Sequence, residues 1–140
     1  MKPRIKVITL GVDDLEKSLA FYRDGLGLPT KGIIGTEFED GAVVFFNMND
    51  DLILALHPRT ALAKDANIPI SPRSPSELSI GHIVRSKDDV DAIMQQAKKA
   101  GAHVTDAART RFWGGYSGYF QDPDGHLWEI TWNPAWEVKD

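Results

Sequence analysis

The most constraining feature of this chain is that its pattern occurs twice. Residues 6–12 (KVITLGV) are a β-branched, apolar run of the kind that reads as a strand. Asp13-Asp14 then supply helix N-cap chemistry, and Glu16 stands three residues after Asp13, at capping-box spacing. Leu15, Leu19, Tyr22 and Leu26 recur at helical intervals, and Gly25 and Gly27 offer the left-handed residue that ends a helix. In the second half, residues 80–85 (IGHIVR) again read as a strand, and Ser86 is a cap with Asp89 three residues on. Val90, Ile93, Met94, Ala97 and Ala100 form the apolar stripe there, and Gly101 ends it. Setting Asp14 on Asp89, an offset of 75 (89 − 14), places Val7 on His82.

The strand-rich parts repeat as well. Residues 43–47 and 52–57 around Asn49-Asp50-Asp51 parallel residues 117–121 and 126–131 around Pro123-Asp124-Gly125, with Asp50 on Asp124 and Ala55 on Glu129. An Asp-Gly between two strand-like runs is a hairpin signal, because glycine accepts positive φ without steric cost. Each half therefore reads as strand, helix and three strands, an α+β arrangement. Alternation along the strands gives each sheet two unlike faces. Ile8, Leu10 and Val12, with Leu54, Leu56, Trp128, Ile130 and Trp132, suit a face that packs on helices. The opposite parity, taken to include Val7, Ala55, His57, His82 and Glu129, is smaller and more polar and could border a cavity.

At 140 residues the chain suits one domain, read as module one at about 4–57, a connector at 58–79 and module two at about 80–135. The connector holds four of the eight prolines, with room for one helical turn at residues 60–66. Half-size modules bury a small fraction of their surface alone, so the two are expected to fold together. A net charge of −4 without a basic cluster speaks against nucleic acid as a partner. The absence of cysteine excludes disulfides and thiolate metal sites, and no apolar run reaches the roughly 20 residues that cross a bilayer. A cytoplasmic location is expected, since the N-terminus lacks the apolar segment of a signal peptide.

Two motifs add a resemblance. Residues 12–23 (VDDLEKSLAFYR) followed by Leu26-Gly27-Leu28, and Gly118-Tyr119-Phe120 followed by Asp122-Pro123-Asp124-Gly125-His126 and Trp128-Glu129, resemble the vicinal oxygen chelate superfamily. That superfamily includes glyoxalase I, extradiol dioxygenases, fosfomycin-resistance transferases and bleomycin-binding proteins. The resemblance implies paired βαβββ modules forming a U-shaped half-barrel with helices outside, often as a homodimer. In metal-dependent members four strand positions surround a divalent ion, and they fall here on Val7, Ala55, His82 and Glu129. Val7 and Ala55 carry no donor atom, whereas catalytic sites normally use three protein ligands. His57, two residues beyond Ala55 on the same strand face, could complete a two-histidine, one-carboxylate set.

Glu129, between Trp128 and Ile130, is costly to bury without a partner, and it stands with His82 as the candidate catalytic or metal-binding pair. Residues 112–119 (FWGGYSGY) interleave three glycines with four aromatics, a composition that suits a lip closing on a ligand. Phe112, Trp113 and Tyr116, with Phe46 and His57, are the candidate ligand-binding residues. Arg109 and Arg111 read as surface charges. The leading functional expectation is a protein binding a small amphipathic molecule in the half-barrel, with no cofactor and no complete metal site. One alternative is a divalent-metal lyase, isomerase or dioxygenase using His82, Glu129 and His57. Another is metal-free acid–base catalysis by His82 and Glu129.

Overall fold

A computed structural model describes residues 1–140, which divide into two compact units, Met1–Pro72 and Arg73–Asp140. The first unit opens with β1 (Val7–Val12) and α1 (Leu15–Leu19). Asp14, in extended conformation, caps α1 by accepting the Lys17 backbone N–H at 3.0 Å. The helix then widens into a π-turn over Ala20–Gly25, closed by the Leu26 N–H on the Phe21 carbonyl at 2.9 Å, rather than running on as one α-helix. β2 (Thr30–Ile34), β3 (Val43–Asn47) and β4 (Ile53–Pro58) complete a four-stranded sheet ordered β1-β4-β3-β2, and α2 (Arg59–Ala66) follows directly. α2 lies in the proline-bearing stretch where one helical turn was expected, and it is eight residues long.

The second unit repeats the order: β5 (Ser79–Ile83), α3 (Lys87–Lys99), β6 (His103–Thr110), β7 (Tyr116–Gln121) and β8 (Leu127–Trp132), in a sheet ordered β5-β8-β7-β6. In both sheets the first strand lies parallel to the last, and the remaining pairs are antiparallel. The connection from first strand to helix and the hairpin before the last strand dictate that order. Ser86 caps α3, accepting the Asp89 N–H at 3.1 Å, as its spacing predicts.

Each core lies between sheet and helix. In the first unit Leu10, Val12, Val44, Phe46, Leu54 and Leu56 are buried with Tyr22, whose ring centroid is 5.9 Å from that of Phe46. In the second, Phe120 stacks on its cross-strand neighbour Trp128 at 6.3 Å, beside Ile130, Val90, Met94 and Ala97. All four tryptophans, Trp113, Trp128, Trp132 and Trp136, belong to this second unit.

The ladders correct the alignment of the repeat. Thr9 pairs with Ala55 and Gly81 with Glu129, while the capping roles match Asp14 with Ser86. The strand–helix part is therefore offset by 72 (86 − 14), not 75. Val7 corresponds to Ser79, and His82 to the core residue Leu10. The misleading signal was the Asp88-Asp89 pair: α3 starts earlier, at the Ser86 cap, and a slip of three residues is odd, so it exchanges the two sheet faces.

Candidate functional site

The helix-free face of the second sheet carries Ser117, Tyr119 and Gln121 from β7, Leu127, Glu129 and Thr131 from β8, and Ser79, Gly81 and Ile83 from β5. Tyr119 is the direct cross-strand partner of Glu129. Its phenol pKa is raised, first by burial and then by the negative charge of Glu129. Above the same ring lies the Arg111 guanidinium, 5.3 Å from the centroid.

Arg111 is no surface charge. Its side chain is 10% exposed, and its Nε donates to Ser117 Oγ at 2.8 Å, its Nη2 to the Ser117 carbonyl at 2.8 Å and its Nη1 to Asp106 Oδ2 at 2.9 Å. Asp106 also meets Arg109, at 3.1 Å, and these two guanidinium groups hold its carboxyl below the usual range. Thr131, opposite Ser117 in the ladder and buried, has a side-chain hydroxyl with no hydrogen-bond partner.

In the first unit the face opposite α1 carries Phe45, Asn47, Ile53, Ala55 and His57; α2 covers its Gly11 end, where Arg59 and Leu62 approach, and Ala55 is buried, while Phe45 at the other end is exposed. Phe45, Asn47 and Ile53, with Pro29, Thr30, Lys31, Gly32 and Ile34, line a pocket of about 470 Å³. β2 bulges at its rim, where the ladder advances from Thr30–Phe46 to Ile33–Val44 and Gly32 takes φ 83°. The Thr30 hydroxyl pins the bulge, donating to the Phe45 carbonyl at 2.6 Å and accepting the Gly32 N–H at 3.2 Å.

The structure separates several residues that the sequence grouped. His82 pairs with Ile130, on the helix side, and so does not share a face with Glu129. Surrounding protein lowers its pKa by desolvating the imidazolium. Phe46 is wholly buried against Tyr22 and presents no surface to a ligand; its neighbour Phe45, 41% exposed, occupies the opposite face. Tyr116 also faces the helix, where its hydroxyl donates to Asp91 at 2.6 Å and Lys87 lies 5.9 Å above its ring. Phe112 and Trp113 sit in a hydrogen-bonded turn, with Arg111 N–H to the Gly115 carbonyl at 2.8 Å and Gly114 N–H to the Arg111 carbonyl at 3.0 Å. Phe112 is fully exposed, while Trp113 folds over Gly115. His57 shares the Ala55 face, but its Nδ1 donates to the Ala42 carbonyl at 2.9 Å, leaving only Nε2 as an acceptor.

Sequence reasoning missed Arg111, Tyr119, Phe45 and Thr131. Tyr119 was within reach, because a hairpin centred on Asp124 pairs it with Glu129.

The family model of the glyoxalase/bleomycin resistance protein/dioxygenase superfamily matches residues 4–130. The chain belongs to this superfamily. A crystal structure of a glyoxalase-related enzyme from Fulvimarina pelagi is 33% identical with a TM-score of 0.86, covering 99% of this chain and 94% of that one. A lactoylglutathione lyase from Agrobacterium tumefaciens, 24% identical with a TM-score of 0.70 over 99% of this chain and 100% of that one, shares the fold. The mitochondrial methylmalonyl-CoA epimerase of Mus musculus is 28% identical over 96 residues, 69% of this chain and 52% of its own length. The chain thus spans about half the length of the curated relatives it matches. No helix is long and apolar enough to cross a membrane.

Members of this glyoxalase superfamily often use a divalent metal, and the residues here do not fit one. Val7 and Ala55 offer no donor, the ladder turns His82 away from Glu129, and no group of three His, Asp or Glu side chains converges.

Proposed function

We propose that this superfamily member binds a small amphipathic molecule in the pocket beside β2 and β3 of its first sheet, without a resident metal. The observation that carries this reading is the first-unit pocket, in which Phe45, Ile34 and Ile53 supply an apolar floor and Thr30, Lys31 and Asn47 a polar rim. At about 470 Å³ it falls in the size range of small-molecule sites. The donor deficit at Val7 and Ala55 removes Lewis-acid chemistry more readily than it removes such a cavity. The ligand-binding residues of this pocket are therefore Phe45, Ile53 and Lys31, in place of Phe46. The cytoplasm and a homodimer remain the expected setting.

Titration with 8-anilino-1-naphthalenesulfonate, followed by amide chemical shifts, tests the reading. Saturable shifts at Thr30–Ile34, Phe45, Asn47 and Ile53 are expected, with Phe45→Ala weakening the probe about tenfold, the equivalent of 1.4 kcal/mol. Shifts confined to other residues would overturn the site. Stoichiometric divalent metal in protein purified without chelator would overturn the metal-free part.

A further inference from the structure

We infer that the cleft between α3 and β6 is a second binding site, for an elongated zwitterion whose cationic end meets Asp91 and whose anionic end meets Lys98. The cleft lies on the helix side of the second sheet, so it depends on nothing in the first-unit pocket.

The space arises where the second unit departs from the repeat. Tyr22 and Met94 each stand eight residues after the cap of their helix (22 − 14 and 94 − 86), and Val44 and Gly118 hold matching ladder places, opposite Leu56 and Ile130. Tyr22 and Val44 fill the first unit completely, both wholly buried, whereas Met94 and Gly118 supply far less volume. Met94 rests on the bare backbone of Gly118, its Cε and Sδ 2.8 and 3.0 Å from where a Cβ would stand. The edge strand widens the gap. Adjacent residues of a regular strand face opposite sides, yet Ala107 and Ala108 both line the cleft, because the register of β6 shifts between Asp106 and Arg109. The result is a cavity of about 550 Å³ whose apolar wall is Met94, Val104 and the two alanines. Methionine adapts its shape to what it touches, so this wall suits a flexible apolar chain.

Charge stands at the two ends of the cleft. Asp91, Gln95 and Lys98 share one face of α3, and at a rise of about 1.5 Å per residue the step from Asp91 to Lys98 covers roughly 10 Å. The Tyr116 hydroxyl fixes one carboxylate oxygen of Asp91 at 2.6 Å and leaves the other open. Lys87, the i,i+4 neighbour placed to neutralise that carboxylate, lies over the rings of Tyr116 and Trp132 instead, 5.9 and 5.5 Å from their centroids. The Lys98 side chain is exposed and makes no ion pair or hydrogen bond. A simple ion uses one end of this arrangement and an apolar molecule neither. A chain charged oppositely at its two ends uses both.

Amide chemical-shift titrations of the full chain with 8-aminooctanoate, octanoate and octylamine test the site. Extended 8-aminooctanoate spans the roughly 10 Å between the two charges, and its analogues keep the chain with one charge each. It is expected to shift Gln95, Lys98, Val104, Ala107 and Ala108 saturably, with each analogue about threefold weaker, the worth of one exposed ion pair. Lys98→Met should weaken 8-aminooctanoate about threefold and leave octylamine unchanged. Asp91→Asn, which keeps an oxygen for the Tyr116 hydroxyl, should weaken 8-aminooctanoate equally and leave octanoate unchanged. Ala107→Leu fills the cleft from an exposed position and should abolish binding of all three while the spectrum stays dispersed. Absence of saturable shifts at these residues, equal binding of the three compounds, or binding that survives Ala107→Leu would overturn the inference.

Discussion

Thr131 and His82 are the two residues whose chemistry disagrees with their position. A buried hydroxyl without a partner costs about 1–3 kcal/mol of desolvation, so Thr131→Val should stabilise the unliganded protein by about that amount in urea unfolding. His82 stands on the helix side in the ladder place of the core residue Leu10. Its side chain stays partly open to solvent, and partial desolvation lowers its pKa from 6.5, so the folded state resists the proton that the unfolded state accepts. The unfolded chain therefore binds more protons in that window, and stability is lost as pH falls below 6.5 toward the folded pKa. His82→Leu, which restores the residue type of its counterpart, should flatten the stability profile between about pH 7 and about pH 5 in denaturant titrations. An unchanged acid limb would mean that another group causes it. At the alkaline end, Glu129→Gln should let Tyr119 ionise at lower pH, visible in phenolate absorbance, because it removes the neighbouring negative charge that helps hold the proton on.

At the scale of elements, caps and turns carry specific weight. Ser86→Ala removes the bond to the Asp89 N–H and should cost about 1 kcal/mol, read by thermal or urea unfolding. At Gly115 an added Cβ would lie 1.7 Å from the Trp113 ring, so Gly115→Ala must swing the indole away and move the Arg111–Gly115 turn, a change visible in the amide shifts of Arg111 and Gly115. The order of strands and helices, the Ser86 cap, the Asp-Gly hairpin and the helix-side residues of β4 and β8 were legible because each depends on local chemistry or period-two alternation. Registers were not. The phase between His82 and Glu129 depends on where α3 begins, and two acidic residues inside its first turn resemble a cap as closely as the serine before them. Phe45 and Phe46 are adjacent and chemically identical, so only the ladder decides which one is buried. Arg111 looked like surface because its partners, Asp106 and Ser117, lie five and six residues away on two strands joined by a turn whose geometry alternation does not supply.

For the molecule as a whole, a charge of −4 and a pI near 5.5 predict a solubility minimum near that pH and no retention on a polyanionic resin such as heparin. Two units of about 70 residues each bury modest fractions of their surface, so the full chain should unfold in one cooperative transition. Two resolved transitions would show each unit to be stable by itself. The uneven placement of the four tryptophans makes that test direct. Excited at wavelengths that tyrosine does not absorb, the protein emits only from residues 113–136, so its fluorescence follows the second unit while its far-ultraviolet dichroism follows both. The first unit is optically dark, and a tryptophan placed at the exposed Phe38 would light it.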